Sequence, residues 1–205
     1  MGRRVLRTLR RGRKAMSETI KALTICQPWA WAVVNGPRDG EAWKRFENRS
    51  WATEYTGPLV IHAGKSDGWM RDGMEFLRAQ GVAPLLSELA FGAILGVVEM
   101  VDCVRPREAL RPDGSRDPYA FENSAWCHKY ANPRRLATPV PWKGRLQFFD
   151  VPREIVAELL GDAESAETSS AAKCGETKEE RIDRAIAAAG GSGRLKRAAQ
   201  GSLWK

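Results

Sequence analysis

The octet Lys44-Arg45-Phe46-Glu47-Asn48-Arg49-Ser50-Trp51 gathers three cations, one carboxylate and two aromatic rings. An arginine offers a planar fork that suits phosphate, carboxylate or a base edge, and a tryptophan offers a stacking face. On an extended strand the side chains alternate, so Lys44, Phe46, Asn48 and Ser50 share one face and Arg45, Glu47, Arg49 and Trp51 the other. The second set holds a carboxylate between two guanidinium groups beside a ring, an arrangement able to grip a phosphate or a base. The same spacing also describes a solvated strand with ordinary surface ion pairs, and the octet alone leaves both readings open.

The elements around it must position these groups. Lys21 to Cys26 alternates polar and apolar residues and reads as a strand, and Pro28 to Asn35 as a short apolar helix stopped by Gly36. Pro58 to Ala63 reads as a strand and Asp67 to Gln80 as a helix ended by Gly81. Ala93 to Val104 is rich in β-branched residues and reads as a long strand with Gly96 as a bend. Ala125 to Lys129 and Leu146 to Val151 read as further strands, joined through Pro139-Val140-Pro141-Trp142-Lys143-Gly144, and Glu154 to Leu160 as a closing helix. Strands outnumber helices without regular crossovers, which predicts a mixed α/β, mainly β fold: a small barrel with peripheral helices.

Charge divides the chain. Residues 1–15 carry seven basic side chains and no acid, residues 16–160 carry 18 of each sign, and residues 161–205 carry eight basic and seven acidic. The net charge of +8 thus belongs to an arm, and the expected domain at 16–160 is neutral. The arm at 1–15 is expected to be disordered, as like-charged blocks usually are, and the Ala-, Glu- and Gly-rich stretch at 161–205 to be a tail with one short helix. No run of 18 apolar residues suggests a membrane span, and no secretory leader is recognisable, so a cytoplasmic protein is expected. Cys26, Cys103, Cys127 and Cys174 form no Cys-x-x-Cys pair, and His62 and His128 are the two histidines. Neither a metal site nor a disulfide is expected. Cys127 is read as a buried thiol beside a surface His128. No phosphate-binding glycine loop is present, so no nucleotide cofactor is expected.

Several pieces occur in a familiar order. Thr24-Ile25-Cys26-Gln27-Pro28-Trp29-Ala30, Lys44-x-x-Glu47-x-Arg49, Gly57-Pro58-Leu59-Val60-Ile61-His62-Ala63, Ile94-Leu95-Gly96-Val97-Val98 and Pro141-Trp142-Lys143-Gly144 resemble the activating signal cointegrator homology (ASCH) domain, a relative of the PUA domain. The resemblance spans about Lys21 to Pro152. One departure is that the glycine of the family's Gly-x-Lys-x-x-Glu-x-Arg signature is Ala42 here, with Pro37-Arg38-Asp39-Gly40 reading as an inserted turn.

The resemblance implies a PUA-like β-barrel that binds nucleic acid, RNA foremost, or a nucleoside, in a cleft at the signature strand. Carried onto this chain, Lys44 and Arg49 would meet phosphate or base edges, with Glu47 orienting Arg49 or accepting from a base amino group. Asn48, Trp51, Trp142, Lys143 and Arg145 join the expected binding set. Trp29 is a second stacking candidate, although both it and Trp31 suit core packing in an apolar helix. The resemblance also raises a second activity, since some small relatives hydrolyse acylated cytidine nucleosides with a lysine, a threonine three residues on and a distant glutamate. Here those positions give Lys44, Glu47 and, as the distant acid, Glu99. The nucleophile is missing, and Ser50 lies six residues from Lys44, about 20 Å along an extended strand. Binding is therefore expected ahead of catalysis, with a nucleoside hydrolase or ribonuclease-like activity as the alternative.

Overall fold

The computed structural model describes residues 17–36, 42–82 and 84–160. The basic arm, the inserted turn at 37–40 and the tail at 161–205 lie outside the described residues. The chain runs β1 (Thr19–Ile25), α1 (Trp29–Val34), β2 (Phe46–Arg49), β3 (Gly57–Ala63), α2 (Met70–Ala79), β4 (Ala93–Val104), β5 (Trp126–Pro141), β6 (Phe148–Pro152) and α3 (Ala157–Leu160). The six strands form one sheet in the order β2-β5-β4-β3-β1-β6. β1 and β3 pair in parallel and the other neighbours are antiparallel.

The fold is mainly β, as expected, but the barrel is not closed. β2 is four residues long and the chain leaves the sheet at Ser50, so no backbone ladder joins β2 to β6. Side chains span the gap instead. Trp51 packs edge-on against Phe148 with ring centroids 5.0 Å apart, and Arg49 Nη2 donates to the Thr24 carbonyl at 2.8 Å. The sheet therefore curls until its edges nearly meet.

The longest strands show how that curl is made. β4 and β5 pair with three register shifts, and one strands Asn132 and Pro133 between the pairs Glu99 with Ala131 and Val97 with Arg134. Bulges of this kind bend a strand and accommodate proline, which cannot donate to the ladder. This is why β5 continues to Pro141, where the prolines of the sequence suggest a connection after Lys129. A Cβ on Gly96 would strike the Arg134 carbonyl, so glycine lets β5 cross close over β4.

α1 is buried on every side, which accounts for its unbroken apolar sequence. It joins Leu23, Ile25, Leu59, Ile61, Met100 and Tyr130 in the main core. Gln27 fixes its entry: its amide donates to the Ala90 carbonyl at 2.7 Å, and its side-chain oxygen accepts from Trp31 N at 3.0 Å. α2 turns Met74 and Leu77 inward and keeps Asp72 in its first turn and Arg78 in its last, which suits the helix dipole. A second core lies on the other sheet face, around Val60, Ile94, Leu136 and Phe149. Among the described residues no helix is long and apolar enough to cross a membrane.

Candidate nucleic-acid interface

Within β2 the alternation follows the strand. Glu47 and Arg49 share a face as one ion pair, while Phe46 joins Cys127, Ala109 and Ala120 in a small cluster behind the strand. Lys44 and Arg45 depart from the expected faces because they precede the strand and are free of its pleat. Lys44 N donates to the Ala32 carbonyl at 2.9 Å, which tethers the residue to α1. Its side chain folds back so that Nζ lies 2.9 Å from Glu47 Oε2 and donates to the Phe46 carbonyl. Arg45 turns away to Asp117, with Nη2 3.3 Å from Oδ2. The carboxylate of Glu47 thus sits between Lys44 and Arg49, not between two guanidinium groups.

This chain of charges is largely buried. Lys44 is 2% exposed and its Nζ lies 5.9 Å from the ring centroids of both Trp29 and Tyr119. Burial alone would push the Glu47 carboxyl up, but Lys44 and Arg49 outweigh it and hold the group below its ordinary value. Arg49 Nη2 bridges Glu47 Oε1 at 3.3 Å and the Thr24 carbonyl. Around these ions stand groups that are neutral at pH 7. Burial drives the Tyr130 phenol well up and the His128 imidazole down to about 4. The Cys26 thiol is raised, first by burial and then by Glu47. Two cations and one carboxylate leave the site with a net positive charge.

Three buried polar atoms at this site have no hydrogen-bonding partner among the described residues: Arg49 Nε, His128 Nδ1 and Tyr130 OH. Buried polar groups are nearly always paired, so these atoms mark spare bonding capacity beneath the surface of the site. His128 bonds through Nε2 to the Trp51 carbonyl at 3.2 Å and meets the Trp51 ring edge-on at 4.6 Å. It is therefore as buried as Cys127, against the expected surface imidazole: the two side chains do oppose each other, but both sheet faces are covered.

The other expected residues divide. Asn48 faces away from the ions and straps the β4–β5 connection to β2, donating to the Tyr119 carbonyl at 2.8 Å and accepting from Phe121 N at 2.9 Å. Trp29 and Trp31 are core residues, Trp29 also walling the Lys44 site. Trp142 is half-buried against the second core, and its carbonyl lies 3.1 Å from His62 Nε2, from which it accepts. Lys143 and Arg145 lie exposed on the loop before β6. Glu99 is exposed on β4 and bonded by Asn132 at 2.8 Å, so it takes no part in the buried ion chain; Ser50 is exposed beyond the strand. Thr24, Tyr119, His128 and Tyr130 join the site without any mark in the sequence that assigns them to it. His128 and Tyr130 alternate on a strand, but nothing in that spacing points to Arg49.

Among the described residues no group of three or more metal-ligating side chains occurs. The family profile described as the ASCH domain matches residues 23–137. No curated protein matches the chain.

Proposed function

The chain belongs to the ASCH domain family, and from that premise we propose that it binds nucleic acid, RNA foremost, through the face formed by Lys44, Glu47, Arg49 and Trp51. The observation that carries this reading is the buried run of Lys44, Glu47 and Arg49, edged by unpartnered Arg49 Nε, His128 Nδ1 and Tyr130 OH. Pre-placed charges recognise a base or phosphate, and Arg49, 21% exposed, brings them to the surface. Arg49 is the contact residue, Glu47 and Lys44 hold it, and Trp51 offers the ring. Lys143 and Arg145 supply further cations on the loop before β6.

The test is the affinity of the full chain for a single-stranded RNA 12-mer, the matching DNA and acetylcytidine, in the wild type and in Arg49→Lys. The expected result is RNA binding weakened about tenfold by the loss of the planar fork, in a variant whose cooperative melt shows that it still folds. Equal RNA affinity in the two proteins refutes the reading.

One observation favours a hydrolase as the alternative: Lys44 Nζ and Glu47 Oε2 are 2.9 Å apart, within reach of proton transfer. Against it stands the carboxylate at the position where the resemblance would place a threonine nucleophile. Turnover of acetylcytidine by the wild type, lost in Glu47→Gln, would replace binding by catalysis.

A further inference from the structure

Among the described residues, two large concavities adjoin each other on the β4–β5 connection, outside the Lys44 site. One, about 550 Å³, is lined by Arg105, Arg107, Arg116, Glu122 and Ser124. The other, about 630 Å³, shares Arg116 and Glu122 and adds Trp69, Asp117 and Phe121. Each falls within the size range of small-molecule sites. The first sets three guanidinium groups against one carboxylate in a domain that is neutral as a whole. We propose that these joined depressions form a groove for the phosphodiester backbone of a single-stranded nucleic acid, a second contact surface tethered to the Lys44, Glu47 and Arg49 site. The proposal rests on the nucleic-acid reading of that site.

The guanidinium groups are held in ways that suit an anion. Arg105 lies over the Trp126 ring, with Cζ 3.8 Å from the ring centroid, and donates through Nη1 to the Ala125 carbonyl at 3.1 Å. That leaves most of its N–H groups for a ligand. Arg116 already grips an anion, because its Nη1 is paired with the carboxylate of Glu122. Glu122 is 80% exposed, and such surface pairs contribute little, so a phosphate can take its place at small cost. Arg107 is 84% exposed and only loosely paired with Glu108, at 3.7 Å. In the neighbouring depression Trp69, 54% exposed, offers a stacking face for a base.

The groove is fastened to the proposed site. Ser124 Oγ donates to the Arg49 carbonyl at 3.3 Å, Asn48 holds Tyr119 and Phe121, and Arg45 pairs with Asp117. These bonds hold the groove and the proposed site in one rigid frame.

The experiment uses the full chain and a labelled single-stranded RNA 12-mer, titrated at several salt concentrations against wild type, Arg107→Gln/Arg116→Gln and Arg49→Lys. The double variant is expected to bind about tenfold more weakly at low salt, with the salt slope smaller by about 1.4, from roughly 0.7 per phosphate contact on a single strand. Its melting temperature stays that of the wild type. Wild-type affinity and slope in the double variant overturn the groove, as does a loss of affinity accompanied by a lowered melting temperature and an unchanged slope. Displacement of the RNA by low-millimolar inorganic phosphate identifies a free-phosphate site and also overturns it. If the double variant weakens binding and Arg49→Lys does not, the groove stands and the central reading falls; the reverse result separates them the other way. No binding by the wild type removes both.

Discussion

Lys44 is 2% exposed, and Glu47 beside it is paired on both sides. Removing one member of a buried pair leaves the other uncompensated, at a cost of about 3–5 kcal/mol. Lys44→Ala is expected to lower stability in urea by about 3 kcal/mol, and Lys44→Met with Glu47→Gln to recover at least half of that. A loss of function in Lys44→Ala alone is therefore no measure of binding. The histidines give a pH dependence. His128 titrates at about 4 in the fold against an ordinary 6.5, and burial lowers His62 as well. Between those limits the unfolded chain takes up protons that the fold refuses, so stability is full above pH 6.5 and falls as pH drops towards 4. For His128 alone the loss is about 3 kcal/mol by pH 4, since each tenfold drop in proton affinity is worth roughly 1.4 kcal/mol. Below about 4.5 the depressed Glu47 carboxyl adds its own loss as it protonates in turn. Urea midpoints between about pH 7 and 4 check this, and His128→Asn is expected to flatten the first part of the profile.

At the scale of elements, close approach decides more than propensity. Gly96 lets β5 cross β4, and its replacement by alanine would drive a methyl group into the Arg134 carbonyl. Gly96→Ala is expected to cost about 3 kcal/mol or more, seen as a lowered urea midpoint, since the obstacle is backbone and cannot rotate away. Gly144 packs against His62 and Thr24, where a Cβ would lie 2.5 Å from the His62 ring. Gly144→Ala is expected to lift the loop that carries Trp142, Lys143 and Arg145 while the rest of the fold holds. The readout is faster amide exchange confined to 142–147; unchanged protection there refutes it. The β4–β5 connection plays the opposite part, fastened across β2 by Asn48, and gives a four-residue edge strand its stable place.

At the scale of the molecule, charge is distributed in two ways. The described domain is close to neutral, so its affinity for nucleic acid must come from placed groups, whereas the seven cations at 1–15 offer a diffuse field. Deleting residues 1–15 is expected to reduce the salt slope of RNA binding, by up to about 5 if every cation meets a phosphate, and to leave the effect of Arg49→Lys unchanged. Equal slopes with and without these residues dismiss the arm as a contributor. The main core and the second core, on opposite faces of one curled sheet, hold the site and the loop before β6 in a single frame.

Much of this is legible in the sequence because it depends on local order. The apolar runs mark β1, α1, β3 and β4, since burial requires them wherever the chain folds, and the Lys44 to Arg49 spacing marks the edge strand and the family. Three features come only from the tertiary structure. Lys44 reaches Glu47 because α1 tethers its backbone outside the pleat, and strand periodicity cannot see such a tether. β5 runs through its prolines because bulges opposite β4 absorb them, and a bulge is a property of two strands. His128 and Tyr130 come to the ions because β5 pairs with β2, Glu47 opposite His128, and Thr24 comes to Arg49 because the sheet curls until its edges nearly meet. Sequence separation carries no record of that closure, which depends on the twist and packing of all six strands together.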